Sequence, residues 1–237
     1  MNAIFICSVH HTGSWFAIDA LRNHPDSGPF FELKDLLSGT ADKDAVNSER
    51  THVIHTHYVG RGIQAGYHVD GEGTWAKLKA IMCQAMMQEC KTIIPIRDPA
   101  MAIITRASRH PDKDPVWVPL AFEELFALRD LPNVHFLPVD LDWSNEKRLL
   151  ELKAVMSHVG FDPDSPFVDE YAARWAAPKY NISNDTPIKK GYRDRNPESL
   201  MHLQTIFPKA INELYGRRAQ LIPILEAMGY RDLLWWE

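Results

Sequence analysis

Only three cysteines, Cys7, Cys83 and Cys90, occur in 237 residues. Their odd number and wide spacing exclude a disulfide framework and the paired spacing of a zinc site. Scattered thiols of this kind point to a reducing compartment, so a cytoplasmic location is expected. No run reaches the ~18–20 apolar residues of a membrane span. The opening Ala3-Ile4-Phe5-Ile6-Cys7 lacks a basic flank and is too short for a signal-peptide core. Charge of one sign is missing too. A net charge of −5 gives no reason to expect general binding to nucleic acid or to a membrane surface. Any anionic ligand must be held by a local basic cluster. There is also no internal repeat and no low-complexity tract.

What is present is an ordinary globular balance, 45% hydrophobic and 24% charged, enough to build a core. The length suits a single α/β domain spanning 1–237. Ala3 to Ser8 reads as a buried strand, and Trp15, Ile18, Leu21 and Arg22 follow at helical spacing as far as His24-Pro25. Residues 25–50 read as irregular. Thr51 to His55 is the next strand, 74–89 a helix, Lys91 to Ile96 a strand, and Pro99 opens another helix. Val134 to Val139 reads as a fourth strand, and the remainder as mainly helical. Strands alternating with helices predict a parallel sheet flanked by helices. Ligands of such sheets bind beyond the carboxyl ends of the strands. The chemistry-bearing residues fall at those ends.

Between the first strand and first helix lies Ser8-Val9-His10-His11-Thr12-Gly13-Ser14-Trp15. A helix N-terminus presents unpaired N–H groups to a phosphate, Gly13 allows close approach, and Thr12 and Ser14 add hydroxyl donors. A plain helix cap by Thr12 or Ser14 is the other reading. The segment is not a Walker A loop, because Ser14 and Trp15 stand where that motif has lysine and then Ser/Thr.

Three further segments carry candidate chemistry. Arg97-Asp98-Pro99 ends a strand, and Thr105 follows Arg97 by eight residues. The pair suits a phosphate; a surface Arg97–Asp98 ion pair is the alternative. Lys189-Lys190-Gly191, with Arg193 and Arg195 close behind, concentrates cations in a predicted loop, either for an anion or as a solvated run. His55-Thr56-His57 places two imidazoles on one side of a strand. They can be metal ligands, structural histidines or a general base.

In order and position, these segments resemble those of the sulfotransferases that use phosphoadenosine phosphosulfate (PAPS). The family's 5′-phosphosulfate loop reads roughly Pro-Lys-Ser-Gly-Thr-Thr-Trp, and His10 to Phe16 is similar to it. Gly13 and the hydroxyls agree, and His11 stands at the usual lysine. Phe16, or Trp15 after a local shift, takes the place of the tryptophan that packs on adenine. Arg97 and Thr105 resemble the family's pair on the 3′-phosphate, and Lys189-Lys190-Gly191 its Arg-Lys-Gly triplet over the same group. Thr56-His57 resembles the end of a Lys-Thr-His triplet whose histidine is the base, with His55 in place of the lysine.

The resemblance implies a P-loop-like sulfotransferase architecture. It also implies PAPS as donor, adenosine 3′,5′-bisphosphate (PAP) as product, and no metal. His57, His11 and Ser14 would then be the catalytic residues, His57 as base on the acceptor and His11 and Ser14 against the charge on the leaving 5′-phosphate oxygen. His11, Thr12, Gly13, Ser14, Trp15, Phe16, Arg97, Thr105, Lys189, Lys190 and Gly191 would hold the nucleotide. The resemblance does not reach the acceptor pocket. Residues 25–50, 58–75 and 110–120 are expected to line the site of a small-molecule or carbohydrate acceptor, with Phe30, Phe31, Tyr58, Tyr67 and Trp117 either as its walls or as ordinary core and loop packing. The alternatives are a P-loop kinase relative, a non-catalytic nucleotide-binding protein, and a metal-dependent hydrolase using His55 and His57.

Overall fold

The computed structural model describes residues 2–9, 12–58, 74–109, 112, 114–139, 144–175, 197–230 and 236. Ala3–Ser8 forms β1, and all six of its residues are buried. An unbroken apolar run of this kind suits a strand covered on both faces. It is followed by α1 (Ser14–Arg22), β2 (Ser27–Glu32), α2 (Leu33–Ser38), α3 (Lys43–Val46) and β3 (Thr51–His57). Next come α4 (Thr74–Glu89), β4 (Lys91–Ile96), α5 (Pro99–Arg109), α6 (Trp117–Phe126) and β5 (Val134–Pro138). Helices α7 (Asn145–Val159), α8 (Pro166–Trp175), α9 (Pro197–Ile206), α10 (Pro208–Gly216) and α11 (Arg218–Ala227) complete the described elements.

The five strands form one sheet in the order β2-β3-β1-β4-β5, and every adjacent pair is parallel. Successive residues of β1 point to opposite faces, as strand geometry requires. Phe5, Cys7 and Val9 pack with Ile54, Ile94 and residues of α4, α5, α6, α9, α10 and α11. Ile4 and Ile6 pack with Val53, Ile93 and residues of α1, α7 and α8. The result is a sheet between two helical layers, as the alternation of elements predicts. Because β1 lies centrally with β3 on one side and β4 on the other, their carboxyl ends share one edge.

The expectation that residues 25–50 are irregular is wrong. They hold β2, α2 and α3. Ser27-Gly28-Pro29 hides the strand from a reading of apolar pattern, and its register against β3 shifts between Ser27 and Phe30. Proline and glycine are tolerated there because β2 is an edge strand with a bulge.

Two histidines record the cost of burial. His135 on β5 lies 5.4 Å from His158 on α7, ring to ring, and its Nε2 is buried without a hydrogen-bond partner among the described residues. Burial, with His158 adding to it, pushes His135 from its ordinary 6.5 down to about 4. Above pH 6.5 the ring is neutral in both folded and unfolded chains, and stability is full. As pH falls from 6.5 towards 4 only the unfolded chain takes up this proton, so stability is lost across that window, by about 3 kcal/mol in all. His158, also lowered chiefly by burial, acts in the same direction. His135→Phe is expected to flatten much of the pH dependence of urea unfolding between pH 6.5 and 4. A slope equal to that of the parent would refute the assignment.

Candidate functional site

The turn leaving β1 is built by its backbone. Gly13 has φ of 79° and is the N-cap of α1, yet among the described residues no side chain caps that helix. The simple capping role considered for Thr12 or Ser14 is therefore absent. The first turn of α1 keeps the arrangement that favours an anion. A Cβ at Gly13 would lie 2.6 Å from Val139 Cγ1, just beyond β5. Gly13→Ala is therefore expected to cost about 2 kcal/mol, from the left-handed backbone and the clash together. A melt would show this as a fall of about 4–8 °C. Val139→Ala should cost less on that background than in the parent, since it also relieves the clash. Simple additivity would contradict the steric account.

Thr12 is fully buried, and its hydroxyl donates to the Val9 carbonyl at 2.8 Å. It locks the turn rather than offering a donor to a ligand, which corrects the expectation made for it. Phe16 also leaves the nucleotide-facing set. It is 3% exposed and lies 5.9 Å from the Tyr171 ring in the core. Trp15 is 58% exposed, so it is the indole available to meet a base. Ser14 is buried at the first position of α1.

At the end of β3, His55 and His57 do project to one side, with ring centroids 4.9 Å apart, edge to face. Residue Ser8 stands opposite His57 in the parallel register. Its Oγ lies 3.1 Å from His55 Nε2 and 3.2 Å from His57 Nδ1. His55 Nδ1 in turn lies 3.0 and 3.1 Å from the two carboxylate oxygens of Glu32, the last residue of β2. His55 is buried and His57 half-buried. Among the described residues, no three His, Cys, Asp or Glu side chains cluster in a way that could hold a metal ion. Cys7, next to Ser8, faces the opposite layer with its Sγ 3.3 Å from Cys83 Sγ. Burial and that contact push its thiol well above the usual range, so it is held as a neutral thiol and not as a nucleophile.

At the end of β4, Arg97 Nη1 donates to Thr105 Oγ1 at 3.4 Å, and that hydroxyl donates to the Met101 carbonyl at 2.9 Å. The spacing of eight thus brings the two side chains together, as expected. Asp98 is not a surface partner of Arg97. It is fully buried, and its Oδ1 accepts from the Ala100 N–H and from the Trp236 indole, both at 2.8 Å. Tyr230 donates to the Ile96 carbonyl at 3.1 Å. Asp98 therefore starts α5 and anchors Trp236, while the Arg97 side chain reaches over α5 to Thr105.

Gly13 and Arg97 follow β1 and β4 and His57 ends β3, so all three lie at the carboxyl ends of three adjacent strands, at the same edge of the sheet. His11, Lys189, Lys190, Gly191 and Tyr67 lie outside the described residues. Of the acceptor walls expected from sequence, Phe31, Tyr58 and Trp117 are core side chains, 5–7% exposed. The Tyr58 hydroxyl donates to Glu124 at 2.8 Å, and burial with that carboxylate pushes its pKa up. Phe30 is partly buried against the α1 layer. Ser8 and Glu32 were missed. A polar residue closing an otherwise apolar strand was the available signal for Ser8; Glu32 had none once β2 was missed.

No protein-family model matches the chain, and no curated protein is similar to it in sequence. Among solved structures it is similar to mouse sulfotransferase SULT7A1 complexed with PAP. The TM-score is 0.50, with 13% identity over 86% of this chain and 84% of that one. At that identity the likeness is one of fold: the five-stranded parallel sheet with its flanking helices is a sulfotransferase-like architecture. Among the described residues no helix is long and apolar enough to cross a membrane.

Proposed function

We propose that this chain transfers a sulfuryl group from PAPS to a hydroxyl or amine acceptor. The observation that carries the proposal is the convergence at one sheet edge of an uncapped helix start, an Arg97–Thr105 pair and the His57 imidazole. The solved sulfotransferase of similar fold was complexed with PAP, which agrees with a doubly phosphorylated adenosine as the occupant.

His57 takes the proton from the acceptor as its oxygen or nitrogen bonds to sulfur. The bond from sulfur to the 5′-phosphate oxygen breaks in line, and its electron pair stays on that oxygen. The Ser14 N–H and hydroxyl and the partial positive charge at the start of α1 meet the developing negative charge, with His11 adding to them when protonated. Gly13 lets the backbone come close. Arg97 and Thr105 hold the 3′-phosphate, the Thr105 proton turning from Met101 towards it, and the Lys189-Lys190-Gly191 triplet, by its resemblance to Arg-Lys-Gly, serves the same group. Trp15 supplies a face for adenine. Positioning and charge stabilisation provide most of the acceleration.

The test is release of PAP from PAPS across a panel of phenol, amine, carbohydrate and peptide acceptors with all divalent metal chelated. Acceptor-dependent release is expected. Turnover of ATP instead, dependent on Mg²⁺, would replace this reading with that of a kinase relative.

A further inference from the structure

The side chains at the ends of β1, β2 and β3 form a continuous hydrogen-bonded chain, Glu32–His55–Ser8–His57, with links of 3.0–3.2 Å. Its direction follows from the chemistry of the four groups. An ionised carboxylate only accepts, so His55 Nδ1 carries the proton shared with Glu32. A neutral His55 then holds its lone pair on Nε2, and the single Ser8 hydroxyl proton is donated to it. Ser8 Oγ is left as an acceptor towards His57, whose Nδ1 must therefore carry the hydrogen. The His57 lone pair falls on Nε2.

We infer that Ser8 and Glu32 are positioning residues that fix the tautomer of His57 and aim its basic Nε2 at the acceptor. The inference rests on the reading of His57 as the base. Ser8 is fully buried and His55 only 3% exposed, so water does not compete for the inner links, and the low local dielectric strengthens them. Proton uptake at His57 Nε2 leaves the Nδ1–H bond to Ser8 unchanged, so the chain keeps its direction through the reaction. The carboxylate at its far end orients the base through two intermediaries and does not touch the acceptor. Reversing the chain, with a proton on His55 Nε2, would put the His57 hydrogen on Nε2 and leave no base.

The test is a long-range ¹H–¹⁵N correlation spectrum of the histidine rings in the full chain, which reads which ring nitrogen carries hydrogen. It is recorded for the parent, Ser8→Ala and Glu32→Ala, with PAP titrated calorimetrically into each. Glu32 is partly exposed, 29%, so its truncation leaves no buried charge and gives a second, milder variant alongside Ser8→Ala. In the parent, His57 is expected as the Nδ1–H form. In both variants it should move towards Nε2–H, while PAP affinity changes by less than about twofold. Where transfer is measurable, kcat should fall on the order of 10²-fold with KM for PAPS little changed. A parent His57 carrying hydrogen on Nε2, or a tautomer unmoved in both variants, would overturn the inference. Failure of PAP to bind the parent, with the tautomer responding as described, would instead sink the nucleotide reading and leave the positioning chain standing.

Discussion

His57→Ala is expected to lower kcat for sulfuryl transfer by ~10²–10⁴-fold while leaving PAP affinity within about twofold of the parent. His57 closes β3 and, through Ser8, is tied to β1, but the described residues proposed to hold the nucleotide sit in the turn after β1, on α1, just after β4 and on α5. Loss of the imidazole therefore removes the proton acceptor without dismantling the donor site. The distinguishing readout is rescue: added imidazole should restore part of the rate in the alanine variant by supplying a diffusible base. The acid limb that the base imposes on the pH–rate profile should also vanish. A purely structural histidine would behave otherwise. Its removal would lower the melting temperature and PAP affinity together, and imidazole would restore nothing.

The second large effect concerns Arg97. Its guanidinium lies against Thr105 across the first turns of α5, and Asp98 is committed to the Ala100 N–H and Trp236. The arginine's charge is therefore not spent on its neighbour. Charge-assisted hydrogen bonds to a phosphate contribute ~1.5–3 kcal/mol each. Arg97→Ala should thus weaken PAP by roughly 10- to 150-fold and leave 5′-AMP, which lacks the 3′-phosphate, almost unaffected. Titrations of both nucleotides into both proteins check this. Equal losses for the two ligands would move Arg97 away from the 3′-phosphate. Arg97→Lys should recover only part of the loss, because an ammonium keeps the charge and loses the two-pronged donor geometry.

Much of the sheet was legible in the sequence, for a physical reason. β1 and β4 are buried on both faces, so they read as apolar runs whatever their neighbours, whereas β3 was marked only by its β-branched Thr51, Val53 and Ile54. β2 sits at the edge, begins Ser27-Gly28-Pro29 and pairs on one side only, and a pattern built on continuous apolar residues passes over it. The Arg97–Thr105 pair was legible because it is local: a strand end, a proline at the helix start and a spacing of two turns fix the approach. The role of Asp98 was not legible, since its partner Trp236 is 138 residues away. Ser8, His55 and Glu32 were equally hidden as a group. Each link depends on strand register between residues 23 to 49 apart, and a shift of one residue would turn the side chains to the opposite face. Phe16 and Thr12 show the converse. They fit a motif by type, yet the fold directs one into the core and ties the other to the turn.

The measurement closest to the central claim is calorimetric titration of the parent chain with adenosine 3′,5′-bisphosphate, 5′-AMP and ATP, without divalent metal. Saturable binding of the bisphosphate is expected, at least tenfold tighter than that of either competitor. ATP binding as tight as PAP, or no binding of PAP at all, would contradict it.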